Sequence, residues 1–81
     1  MENEMEKVFQ KLDEIKTDIH HLFDCLIFIK HFAISKNKYT ILAKVLELET
    51  ILNELFDKYL QLRIVIKRLT QGQIFVERDE E

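Results

Sequence analysis

The sequence predicts an all-α protein: an antiparallel two-helix hairpin, about 3–35 and 39–71, that dimerises into a four-helix bundle and ends in a short C-terminal tail. Three observations carry this prediction. The 81 residues include no proline and one glycine, whereas β-rich and loop-rich domains need turn residues at short intervals. Apolar residues recur at alternating spacings of four and three along both halves of the chain, the signature of a heptad seam. The apolar content, 47%, exceeds what one pair of helices can bury along a single seam.

The first seam runs through Val8, Leu12, Ile15, Ile19, Leu22, Leu26, Ile29 and Ala33, and Met1 and Met5 extend it backwards in register. The second runs through Ile41, Val45, Leu48, Leu52, Leu55, Tyr59, Leu62, Ile66 and Leu69. With Leu12, Ile19, Leu26 and Ala33 at heptad position a, the next a would fall at residue 40. The second seam has its a positions at Val45, Leu52, Tyr59 and Ile66, which projects back to Lys38. A five-residue slip is neither of the insertions that a continuous coiled coil absorbs, so the helix breaks at Ser35-Lys36-Asn37-Lys38. Asn37 suits the left-handed conformation that ends a helix, and Ser35, Asn37 or Thr40 can cap the next one. Gly72 supplies the stop for the second helix. Each helix of about 33 residues spans about 50 Å, and two equal helices joined by a short turn pack antiparallel. Residues 1–72 therefore form one hairpin domain. Residues 73–81, with Ile74, Phe75 and Val76, form a partly flexible tail.

The two seams use 17 of the 38 apolar residues. Sixteen more lie on the helix flanks, and burying each large one is worth roughly 1.5–3 kcal/mol. A hairpin that left them in water would expose an aggregating surface. The expected remedy is a second copy of the chain, since most oligomers are symmetric and dimers are commonest. The expected dimer interface is Phe9, Phe23, Ile27, Phe28, Phe32, Leu42, Leu46, Ile51, Phe56 and Leu60.

Net charge is −3, unevenly spread. Residues 1–24 carry −4, while residues 25–46 hold Lys30, Lys36, Lys38 and Lys44 and no acid. An acidic end and a basic turn favour a head-to-tail antiparallel dimer, with Glu2, Glu4 and Glu6 beside the partner's lysines. Lys36, Lys38 and Lys44 are also the candidate contacts for an anion or another protein, because helix starts usually carry acids and this one carries none. A nucleic-acid backbone is a less favoured partner: four lysines without arginine or interleaved base-stacking aromatics make a weak signal.

Catalytic readings find little support. Asp18, His20, His21, Asp24 and His31 include pairs on shared helix faces, but the three histidines and Asp24 fall at outward heptad positions, whereas bundle metal sites project inward. Glu47, Glu49, Glu54 and Asp57 read as a charged face, with only Glu49 near a flank. Cys25, amid Leu22, Leu26 and Phe28, reads as a small buried hydrophobe rather than a nucleophile. With no phosphate loop and one glycine, no enzyme activity, metal or cofactor is expected. The acidic start is unlike a targeting segment, and the most apolar window, Leu22–Ile34, is too short to cross a bilayer, so a cytoplasmic location without membrane insertion is expected.

The layout resembles, in architecture alone, the small plasmid regulators that form a four-helix bundle and bind paired RNA loops. It also resembles the helical hairpins of viruses and secretion systems that serve as adaptors or chaperones. The expected function is a non-enzymatic interaction module: a homodimeric adaptor or regulatory bundle that also engages another protein. The alternatives are an RNA-binding regulator using the lysine-rich turn, and a small chaperone covering a partner helix.

Overall fold

Alternating three- and four-residue spacing becomes two helices in the computed structural model, which describes residues 4–71. They are α1 (Glu4–Ser35) and α2 (Tyr39–Gln71). Glu4 and Glu6 in the first turn of α1 and Arg68 in the last turn of α2 complement the helix dipoles. Neither helix contains the proline or glycine that would interrupt it. The expected stop at Gly72 and the tail 73–81 lie outside the described residues.

The turn forms where the heptad phase slips. Asn37 has φ of 55°, the left-handed conformation expected of it. The Lys38 amide donates to the Ala33 carbonyl (2.8 Å) and the Asn37 amide to the Ile34 carbonyl (3.2 Å), the paired bonds of a Schellman turn. α2 starts at residue 39 as expected, but its cap differs from expectation. Lys38 is the capping residue, its carbonyl accepting the first helical bond from Leu42 (3.0 Å). Ser35 donates back to the Phe32 carbonyl (3.0 Å), Asn37 Oδ1 accepts from the Tyr39 hydroxyl (3.2 Å), and Thr40 lies inside α2. The reason is spatial: the Schellman turn uses Asn37 to end α1, and the next residue, Lys38, already caps α2. Asn37→Val is expected to destabilise the protein by about 1–2 kcal/mol and Asn37→Gly by much less, because a β-branched residue strains this conformation. Thermal unfolding followed by circular dichroism at fixed protein concentration checks it.

The helices run antiparallel. Asp13 meets Arg63, His20 meets Phe56, and Lys30 meets Glu49, so α2 descends as α1 ascends. Among the described residues the buried core is Leu12, Ile19, Ala33, Val45, Leu52 and Tyr59. All six are a positions. The d positions, expected to close the same seam, are instead open: Ile15, Leu22, Ile29, Ile41, Leu48, Leu55, Leu62 and Leu69 are all exposed. The half-buried residues explain the roll of the helices. Phe9, Phe23 and Phe56, all at position e, pack against the core beside Val8, Leu26 and Ile66. Each helix thus meets its mate through a and e, which turns d and g to the opposite side.

Candidate functional site

Two faces result, and they differ in chemistry. On the e side, polar groups knit the helices together. Arg63 Nη1 donates to Asp13 Oδ1 (3.0 Å) and to the Tyr59 hydroxyl oxygen (3.1 Å). The guanidinium lies 5.8 Å from the centroid of Phe9, within cation–π range. These acceptors, Tyr59 first and Asp13 second, hold the Arg63 guanidinium above its ordinary value. The hydrogen bond also satisfies a hydroxyl on a buried ring, which would otherwise be costly. Phe56 stacks on Tyr59 at 5.8 Å, and His20 tilts against Phe56 at 5.7 Å. Lys30 and Glu49, largely covered, pair at 3.0 Å.

Among the described residues the d side has no such bridges. A groove between the helices is lined by Leu22, Cys25, Leu26 and Ile29 of α1 and by Leu48, Ile51, Leu52 and Leu55 of α2. Towards the open end Met5, Val8, Ile66 and Leu69 line its continuation with Thr70. No d position from residue 8 to residue 69 within the two helices carries a polar side chain. Leu22, Leu48 and Ile51 are 51%, 50% and 58% exposed, far more than side chains of this size are left in a packed core. A continuous apolar strip of this kind marks an interaction surface. The described residues that line the groove are apolar apart from the Cys25 thiol and the Thr70 hydroxyl, so the groove is suited to excluding water.

The expected interface residues divide between the two sides. Phe32 and Ile51, at g, flank the groove, and Phe28, at c and 75% exposed, lies at its outer edge. Phe9, Phe23 and Phe56 pack within their own hairpin, and Leu42 is half-buried at e. Ile27, Leu46 and Leu60 are exposed at b, on the side away from the groove. Cys25 differs from its expected burial: it is exposed on the groove rim, because g is turned away from the hairpin core. Sequence reasoning assigned the d leucines to the hairpin seam and so missed them as the open surface. The usable signal was the position of three of the six phenylalanines at e, since large rings draw the helix contact to their side.

Lys36 and Lys38 sit at the turn. Lys44 lies within 3.5 Å of Glu47 and Lys30 within 3.0 Å of Glu49, so two of the four lysines face their own acids. Among the described residues no group of three or more histidine, cysteine, aspartate or glutamate side chains gathers to hold a metal ion, and no helix is long and apolar enough to cross a membrane.

Fold and surface together define an all-α helical hairpin with one apolar face. No protein family, no characterised protein and no solved structure matches the chain.

Proposed function

We propose that the chain is a cytoplasmic, non-enzymatic interaction module, a homodimer in which two hairpins close a four-helix bundle through their d and g faces. The observation that carries this reading is the division of labour around each helix. In a four-helix bundle a helix has two neighbours, one served by a and e and the other by d and g, with a and d lining the common core. The hairpin supplies the first neighbour and leaves the second place open. Six buried side chains among the described residues are also few for helices of 32 and 33 residues, which supports a core completed by another chain.

Closing the bundle leaves Ile27, Leu46 and Leu60 outside, on helix faces that suit contact with a further protein, as an adaptor or regulatory subunit requires. The lysine-rich turn supports a nucleic-acid partner less well, since Lys30 and Lys44 already lie beside Glu49 and Glu47. Light scattering is the test. The purified chain is expected to have twice the 9.8 kDa mass of one chain at micromolar concentration and to dissociate on dilution with loss of helix signal. A monomer that keeps its full helix content at every concentration would overturn the homodimer.

A further inference from the structure

The open face specifies how two copies align, an inference that rests on the homodimer reading above. The groove is bordered by the g positions, and g residues of neighbouring antiparallel helices face one another and set orientation. Asp13 is level with Arg63 and His20 with Phe56. The same register puts Asp18 level with Lys58, Cys25 with Ile51 and Phe32 with Lys44. Three of the four levels thus pair an acid with a base, an apolar residue with an apolar residue, or a ring with a lysine; at the fourth, Lys11 is level with Val65.

We infer that two copies dock with their turns at the same end, α1 of each against α2 of its partner, about a two-fold axis parallel to the helices. This alignment sets Asp18 against the partner's Lys58 twice, and Cys25 against the partner's Ile51 twice. It also lays the lysine stem of the partner's Lys44 on Phe32. Asp18 and Lys58 are the charges available for this: neither has a partner in its own chain among the described residues, while Lys11, Lys30, Lys44 and Arg63 all do.

The head-to-tail alternative fits less well. Centred on the groove, it sets α2 against α2 with Lys44 facing the partner's Lys58, and Asp18 facing the partner's Phe32. Shifted by one heptad, it sets Asp18 against Cys25 and Lys58 against Ile51, leaving each charge on an apolar neighbour. The end charges that favoured it are also rearranged by folding. Arg63, Lys67 and Arg68 return to the same end as Glu4 and Glu6, and Asp18 and Asp24 lie mid-hairpin.

The test mixes two full-length variants, Asp18→Lys and Lys58→Asp, one carrying an affinity tag. With turns together, each homodimer sets like charges opposite one another, and the heterodimer restores both pairs. The ratio of heterodimer to homodimers is expected to rise about tenfold over statistical mixing in low salt and to fall as salt is added. Repulsion between the two like charges inside one variant hairpin is the same in both assemblies and cancels. Asp24→Lys with Lys67→Asp makes the same charge changes away from the groove and is expected to mix statistically. Statistical mixing of the first pair between intact dimers overturns the alignment and leaves the homodimer standing. A wild-type monomer overturns the homodimer and this alignment with it.

Discussion

Replacing Leu48 with aspartate is expected to dissociate the proposed dimer. Leu48 lies at d on the groove wall and is half exposed in a single hairpin, so a carboxylate there costs the isolated chain little. In the bundle, two such carboxylates enter an interface lined by Leu22, Ile29 and Leu55, with no base among these neighbours. Burying a charge without a partner costs about 3–5 kcal/mol, so dimer affinity should fall by more than about 100-fold. The scattering mass should drop from twice to once the 9.8 kDa of the chain at concentrations where the wild type is dimeric. Leu46→Asp is the comparison: Leu46 is 47% exposed, almost the same as Leu48 at 50%, but lies at b on the opposite side. It is expected to leave the mass unchanged. The reverse pattern would move the interface to the b side, where Ile27 and Leu60 also lie.

The second large effect concerns the hairpin itself. Leu52 is 6% exposed, belongs to the buried cluster with Leu12, Ile19 and Tyr59, and also forms part of the groove. Leu52→Ala removes three carbons from a place where both packing surfaces meet. The expected loss is about 2–5 kcal/mol per chain, including the cavity left behind. For a chain of this size it corresponds to a fall in Tm of more than about 10 °C. Ile64→Ala, at f and 53% exposed, removes a comparable side chain from the outward surface and should shift stability by less than about 0.5 kcal/mol. Equal shifts in thermal unfolding for the two variants would mean that the a row is not the core.

The helices were legible because their periodicity is unbroken. The alternation from Val8 to Ala33 and from Ile41 to Leu69 falls wholly within α1 and α2, and the slip in phase points to Asn37. The roll of each helix about its axis was not legible. Rows a and d are both apolar and equally regular, so spacing alone assigns them the same role. The distinction comes from their neighbours. Phe9, Phe23, Phe56 and the Lys30–Glu49 pair occupy the e border, whereas Lys11, Asp18, Lys44 and Lys58 occupy the g border. Deciding between these borders requires knowing what lies opposite each residue, which depends on the register of two distant segments. The capping role of Lys38 was hidden for a related reason. Capping preferences reward side-chain oxygens, and here the backbone turn fixed the boundary before a side chain was called upon.

The Schellman turn at Asn37 also has a kinetic meaning. Ala33 and Val45, buried on either side of it, are close in sequence, so bringing them together closes a short loop at little entropic cost. Contacts farther along the hairpin then add one heptad at a time, each loop already half closed by the one before. Assembly of the chain is therefore expected to proceed as a zipper from the turn, fast because its contacts are local, with the encounter of two chains as the slower step. Glu4 and Gln71, at the open end, join last and part first.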